Sequence, residues 1–392
     1  MKVVTSCRSR FFIFELSRQL YQHNALYKII ADYPYSSLKL FGIPRKNTQP
    51  LPVIGALIRS IYALTSFLGY NVYPSNLNKI IHELYGLLLS KLLPKDADVF
   101  IVLSSFANES IKKCSKYGVK LIVEHASLHL KYDTIHVDNE YARWGLTPPS
   151  ANTPLWCVER EQREFQSCTT IVVPSKLAKE SLVSSGICPN KIRVNPLAVD
   201  VNLFRPIQTD DQPITFSILN VGSITIRKGI LGLMWAFNEA KLVDASLTFV
   251  GSGYENISRS EIFNQLKSEN INFIGSINQR YLPQIYSQSS IFIMPSVSDG
   301  FGLVALQAMS CGIPVIVSDK CGVSECVVDG KTGFIYQSGN YEKLSQLLNY
   351  CSNNMDEMKY MGKKAREEVL EKYTWSQYGN RYMQILSKSL HQ

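Results

Sequence analysis

No run of basic residues in this 392-residue sequence is longer than two, although Lys and Arg number 41 against 32 Asp and Glu, a net charge of +9. Chains that bind nucleic acid concentrate such charge in a stripe or cluster. The scattered excess therefore reads as attraction for phosphate-bearing small molecules or an anionic membrane surface, and no nucleic-acid partner is expected. The nine cysteines include no Cys-x-x-Cys pair, and no His pair stands near Cys321 and Cys326. An odd, scattered set reads as free thiols in a reducing compartment, which argues against a zinc site or a disulfide framework. A secretory signal is also missing. Arg8 and Arg10 precede an apolar run at Phe11, but Glu15 ends it after four residues. A membrane-spanning run is lacking too. The apolar-rich stretch from Val53 to Tyr70 is interrupted by Gly55 and Arg59, and Ile54, Leu57, Ile58, Ile61, Leu64 and Leu68 fall at helical spacing.

What is present is an ordinary globular composition, 45% hydrophobic and 19% charged. At about 150 residues per domain the length predicts two or three domains, each able to bury its own core. Val53 to Tyr70 and Leu77 to Leu93 read as amphipathic helices. They serve either core packing or contact with a membrane surface through Arg59, Lys79, Lys91 and Lys95. Short β-branched runs alternate with helices along the rest of the chain. Strands are expected at Lys2 to Ser6, Leu26 to Ala31, Asp98 to Leu103, Val119 to Val123 and Thr169 to Pro174. A helix is expected from Arg10 to Gln22. Another runs from Leu155 to Ser167, where Glu159 with Arg163 and Arg160 with Glu164 are spaced as a solvated charged face. Phe204 to Pro213 reads as a linker. The alternation then restarts, with strands at Phe216 to Val221, Ser246 to Val250, Ile271 to Ile274, Ser290 to Pro295 and Pro314 to Ser318. Helices are expected at Ile230 to Lys241, Gln279 to Gln288 and Phe301 to Cys311. Continuous apolar strands between helices imply parallel sheets covered on both faces. The fold class is therefore α/β, with two doubly wound Rossmann-like domains facing a cleft.

Three constellations carry chemistry. Gly222-Ser223-Ile224-Thr225-Ile226-Arg227-Lys228-Gly229 lies between a strand and a helix. Cations at a helix start oppose its dipole, so Arg227 and Lys228 suit a site where an anion lies between them and the backbone amides. Ser298 to Met309 places Gly300, Phe301, Gly302 and Leu303 at a second helix start, leaving amides for a phosphate or a sugar oxygen. Asp299 either caps that helix or accepts hydrogen bonds from hydroxyls. Gln307 is a polar side chain in an apolar helix and needs partners. Eight residues of helix span about 12 Å, roughly the reach of a nucleoside diphosphate sugar from hexose to ribose. The third constellation, Glu124 to His129, follows a strand and puts two His and a Glu at a carboxyl end. His129 there either binds a substrate or is structural.

At these places the chain resembles the retaining glycosyltransferases of family 4, which have the two-domain glycosyltransferase-B fold. The run from Ile293 to Tyr336 is similar to that family's donor-site signature, and Val221 to Gly229 to its diphosphate loop. Glu124 to His129, Asn139 to Gly145, Val194 to Pro206 and Lys372 to Trp375 resemble it as well. The resemblance implies an N-terminal acceptor-side domain (1–206), a C-terminal nucleotide-sugar domain (207–375) and a last helix (376–392) crossing back to the first. It implies transfer of a hexose from a nucleotide diphosphate sugar to a hydroxyl of a glycan or lipid-linked acceptor, in polysaccharide or glycolipid synthesis. Lys228 and Arg227 would bind the diphosphate with Gly222, Ser223, Gly300, Phe301, Gly302 and Leu303. Asp299 and His129 would stand at the transferred sugar, and Gln307 at the ribose. No metal and no further cofactor is implied, and no Asp-x-Asp motif stands where such a donor would bind. The chain departs from the family at Ser223, where Arg is usual, and at Asp299 and Gln307, where Glu is usual. It also lacks the glycine-rich loop after the first strand, where Ser6 to Ser9 stand. Those departures keep two other readings open: a nucleotide-sugar-binding partner subunit without activity, and another activity on the same fold such as a phosphorylase or 2-epimerase. The expected location is cytoplasmic, peripheral at the inner membrane face.

Overall fold

The structure, a computed structural model, describes residues 1–8, 12–67, 75–148, 155–208 and 215–390. The β-branched runs form strands that are mostly buried, and helices follow them on both faces. In the first unit the strands are β1 (Val3–Cys7), β2 (Leu26–Ala31), β3 (Thr48–Pro50), β4 (Val99–Leu103), β5 (Lys120–Glu124), β6 (Thr170–Val173) and β7 (Ile192–Val194). They make one parallel sheet in the order β3-β2-β1-β4-β5-β6-β7. Its helices are α1 (Ile13–Gln22), α2 (Tyr35–Lys39), α3 (Pro52–Phe67), α4 (Ser75–Leu92), α5 (Ile111–Tyr117), α6 (Leu130–Arg143), α7 (Leu155–Ser167) and α8 (Lys176–Ser184).

The second unit repeats the plan. Strands β8 (Phe216–Val221), β9 (Ala245–Val250), β10 (Ile271–Ile274), β11 (Ile291–Met294), β12 (Val315–Ser318) and β13 (Gly333–Tyr336) form a parallel sheet in the order β10-β9-β8-β11-β12-β13. Around it lie α9 (Ile230–Ala240), α10 (Tyr254–Ile257), α11 (Glu261–Leu266), α12 (Leu282–Ser287), α13 (Leu303–Ser310), α14 (Tyr341–Asn353) and α15 (Met355–Lys372), and the described chain ends with α16 (Trp375–Leu390). The chain is thus α/β with two doubly wound Rossmann-like sheets. Strand order reverses between β1 and β4 and again between β8 and β11. Those switch points are where open sheets of this kind form crevices beyond the strand ends.

One buried apolar cluster runs through both units, from Phe14 and Ile101 to Phe204, Tyr286 and Leu306, and on to Tyr382. Phe204, read from sequence as the start of a linker, is therefore core, and its carbonyl accepts the Ser310 hydroxyl at 2.6 Å. The rest of that linker from 209 onward lies outside the described residues, as do Arg10, 68–70 and Ser9. After α15 the Val199 amide donates to the Tyr373 carbonyl at 3.0 Å. Helix α16 then packs on α1 and donates from Arg381 to Asn195 Oδ1 at 2.9 Å.

On α7 Glu159 and Arg163 are exposed, as expected from spacing, but the second pair corrects that expectation. Arg160 and Glu164 are buried and turned inward. Arg160 pairs with Glu109 at 2.6 Å, while Glu164 accepts the amides of Ser105 at 2.6 Å, Ala107 at 2.7 Å and Asn108 at 3.1 Å. A four-residue spacing puts side chains on one face without saying which way it points. Here the loop after β4 offers that face an acid, a carbonyl and three amides, so the charges are satisfied inside.

Glu124, at the end of β5, is 3% exposed and accepts the hydroxyl of Tyr382. Burial pushes its carboxyl up from 4.5 to about 8. The folded state therefore holds a proton that the unfolded chain releases earlier. The stability linked to this group is whole below about 4.5 and is lost as pH rises through about 8. Glu124→Gln keeps an acceptor for Tyr382 and removes the charge. We expect its melting temperature to exceed the wild type's near pH 9 and the gap to shrink near pH 5, read by thermal unfolding at both pH values.

Candidate functional site

Both loops at the second switch point carry sequence candidates. After β8 the chain passes Gly222 and Ser223 and makes a single 3-10 turn, Ile226–Lys228, before α9. After β11 it runs through Ser298, Asp299 and Gly300 into α13. The two loops are tied together. The Val297 amide donates to the Arg227 carbonyl at 3.0 Å, and Arg227 Nη1 donates to the Ser298 carbonyl at 2.8 Å. Lys228 Nζ donates to Asp299 Oδ2, and Asp299 Oδ1 accepts the Phe301 amide at 3.3 Å. Asp299 therefore both neutralises Lys228 and shapes the turn into α13. Gly302, at φ +100°, takes the left-handed conformation that opens this helix. The first amides of a helix lack an intrahelical acceptor; here the Ala305 amide returns to the Gly302 carbonyl at 3.0 Å.

A cavity of about 740 Å³ lies between the two sheets' carboxyl edges. Gly222, Ser223, Arg227, Lys228, Asp299, Phe301, Gly302, Leu303 and Gln307 all line it. Gln307 is 5% exposed, with its oxygen 3.4 Å from the Tyr286 hydroxyl, which also lies 3.1 Å from the Val304 carbonyl. From the first unit the wall is made by Phe12, Glu15 and Arg18 of the α1 region, by Ala126 after β5, and by Asp200. Glu15 and Arg18 form an ion pair at 2.8 Å. Burial, and to a smaller extent Asp200, raise the Glu15 carboxyl above its ordinary value despite Arg18. One wall thus sets Arg227 and Lys228 against Asp299, and the other sets Glu15 and Asp200 against Arg18. Sequence reasoning missed Glu15, Arg18 and the side chain of Asp200. The last lies within Val194 to Pro206, so only its stretch was flagged.

The third constellation is built differently from the expectation. Ala126 faces the cavity, while His129 is 2% exposed and caps α6, its Nδ1 accepting the Lys131 amide at 3.3 Å. Burial lowers its pKa, which suits a neutral acceptor ring. The helix it caps carries Asp133, whose Oδ1 accepts the hydroxyl of Ser298, beside Asp299. Gly300 is also a seam residue. A Cβ there would lie 2.6 Å from the Ala126 carbonyl oxygen and 2.7 Å from Ser127 Cα, and the Gly300 carbonyl accepts the Ser175 hydroxyl at 2.8 Å. On the far side of the seam Glu140 Oε1 accepts both the Tyr341 hydroxyl and the Trp144 indole N–H. The Asn139 to Gly145 stretch is thus an interdomain contact. Among the described residues no cluster of three or more His, Cys, Asp or Glu side chains is placed to hold a metal ion.

The family model described as "Glycosyl transferases group 1" matches residues 207–368. The chain is similar to the sulfoquinovosyl transferase SQD2 of Arabidopsis thaliana, 29% identical over 235 residues, covering 57% of this chain and 44% of that protein. It is also similar to a GDP-mannose-dependent monoacylated alpha-(1-6)-phosphatidylinositol monomannoside mannosyltransferase of Corynebacterium glutamicum. That match is 30% identical over 211 residues and covers 49% of this chain and 55% of that protein. The chain thus spans about half the length of these curated relatives. Among solved structures, Anabaena HepE in complex with UDP and glucose aligns with a TM-score of 0.66 at 14% identity, over 99% of this chain and 100% of that one. At that identity the likeness shows the fold.

Gly300→Ala tests the seam. The new methyl meets backbone, so the loops must part. We expect a loss of about 1–3 kcal/mol in stability, read by denaturant unfolding.

Proposed function

We propose that the chain, whose residues 207–368 match the model of the group 1 glycosyltransferases, is such an enzyme and moves a hexose from a nucleotide diphosphate sugar to an acceptor hydroxyl with retention of anomeric configuration. In this reading residues 207–375 hold the donor, residues 1–206 receive the acceptor, and the last helix ties the two. The observation that carries it is the convergence of Arg227, Lys228 and the open amides at Gly302 and Leu303 on one cavity at the sheet's switch point.

As the anomeric C–O bond breaks, its electron pair leaves with the diphosphate. Fixed cations and dipoles already aimed there stabilise that charge without rearranging. The acceptor oxygen bonds the anomeric carbon, and its proton passes to the departing phosphate. Asp299 and the acids of the opposite wall accept hydrogen bonds from sugar hydroxyls. Gln307 receives the ribose, since an amide both donates and accepts. His129 has a positioning role: through α6 and Asp133 it fixes Ser298 and so Asp299. Closure of the two units excludes water, which would otherwise compete as acceptor. The acceptor we favour is a glycan or lipid-linked glycan. The Corynebacterium relative's name carries a phosphatidylinositol acceptor, and HepE, whose structure holds UDP, guides the choice of UDP as probe.

Lys228→Ala removes one charged hydrogen bond to the diphosphate, worth about 1.5–3 kcal/mol. We expect UDP affinity and kcat/KM for the donor to fall roughly 10- to 100-fold. Calorimetry with UDP and a sugar-transfer assay read the two. Transfer at the wild-type rate would remove the diphosphate role. UDP binding by the wild type with no transfer to any acceptor would favour the inactive partner subunit.

A further inference from the structure

The first sheet also reverses its strand order, between β1 and β4, and so has a crevice of its own beyond the strand ends. Polar atoms without partners collect there. Among the described residues Ser6 Oγ, Arg8 Nη1, Asp32 Oδ1 and His125 Nε2 are buried and have no hydrogen-bond partner. These residues lie at the carboxyl ends of β1, β2 and β5. Folded proteins leave few such atoms, and a group of them along one sheet edge is what a polar ligand would complete.

Arg8 is held as a receptor for an anion. Its guanidinium carbon lies 5.2 Å from the centroid of the Tyr62 ring on α3 and 5.6 Å from that of Phe106, in the loop after β4. Ring contact uses the charge but gives no N–H an acceptor. The two rings therefore steady a planar fork of donors, the shape that matches a carboxylate or a phosphate. The buried charges of α7 set this clamp. The Ser105 carbonyl accepts Arg160 Nε at 2.6 Å and the Ser105 amide donates to Glu164 at 2.6 Å. Together they hold Ser105 at φ +72° and so place the ring of Phe106 that follows. His82 of α4 stacks on that ring at 4.3 Å. Burial first, and then Arg8, push its imidazole down to about 4, so it adds no charge near pH 7. Of the other cations at this edge, Arg160 is paired with Glu109 and Arg59 lies 3.8 Å from Asp32. Arg8 is left as the cation whose Nη1 is unmet.

We propose that this crevice takes an acidic acceptor, a sugar unit whose carboxylate or phosphate monoester seats on Arg8 while a neighbouring hydroxyl donates to Asp32 Oδ1. The inference rests on the reading of residues 1–206 as the acceptor side and names the chemical class of that acceptor. Arg8, Tyr62 and His82 are partly exposed and Arg59 is exposed, so the crevice is open to solvent at its rim. It also adjoins the donor cavity, because His125 is followed by Ala126, which lines that cavity. A unit anchored at Arg8 therefore lies along the same sheet edge as the donor. A neutral sugar would leave the Arg8 fork unmet, and a site built to bond a polar group discriminates against a ligand that lacks it.

Ligand-observed NMR on the full chain, with the donor cavity filled by saturating UDP, tests this. The probes are methyl β-glucuronoside, glucose 6-phosphate and, as neutral control, methyl β-glucoside. We expect at least one acidic probe to bind roughly 10- to 100-fold more tightly than the control, and the one that prevails tells carboxylate from phosphate. Arg8→Gln should erase that margin while UDP affinity stays at the wild-type value. Should that variant misfold, Arg8→Lys keeps the charge and loses the fork. It should weaken the preferred acidic probe several-fold and leave the glucoside unchanged. Equal binding of all three probes by the wild type overturns the proposal. So does an acid preference that survives in folded Arg8→Gln, or one that Arg8→Lys leaves untouched. UDP binding, read separately, reports on the transferase reading, so a chain that binds UDP without preferring an acid fails only here.

Discussion

Everything at the site depends on backbone meeting backbone where Gly300 passes Ala126 and Ser127. No side chain fits there, so the two carboxyl edges close to contact rather than standing apart. Around this seam the Ser298–Asp133 and Gly300–Ser175 hydrogen bonds hold the second unit's loops against the first unit's helices. A buried apolar cluster continuous through both units supports the contact from behind. The cavity is what remains between two edges fixed this closely.

Its chemistry follows from topology. The second sheet reverses its strand order between β8 and β11, so the loops after those two strands diverge around one crevice. One loop brings Arg227 and Lys228, and the other brings Asp299 and the start of α13. Lys228 and Asp299 satisfy each other, which keeps the cation fixed in a half-buried place without leaving it unpaired. In the proposed reading a diphosphate arriving there would meet charge already in position, as charge stabilisation in a transition state requires.

The sequence made the parallel sheets legible because their central strands are continuous apolar runs, as in Val99–Leu103 and Ile291–Met294. Of the four edge strands only Ile271–Ile274 was legible. Thr48–Pro50, Ile192–Val194 and Gly333–Tyr336 have three or four residues each and too little pattern to separate from loop. The second unit's cavity residues stood in local motifs, where glycines, cations and a helix start are neighbours in sequence. Glu15, Arg18 and Asp200 were hidden because only the fold brings α1 and the segment after β7 to the same wall. Arg160, Glu164 and His129 show the converse. Spacing identified groups that act together, but burial decided that they hold loops and caps rather than face water or substrate.

A crystal structure of the chain with UDP tests the central claim most directly. The account predicts the diphosphate within hydrogen-bond reach of Lys228 Nζ, the Arg227 guanidinium and the amides at Gly302 and Leu303, with Asp299 released from Lys228 or sharing it. A diphosphate bound elsewhere, with the Lys228–Asp299 pair undisturbed, would contradict it.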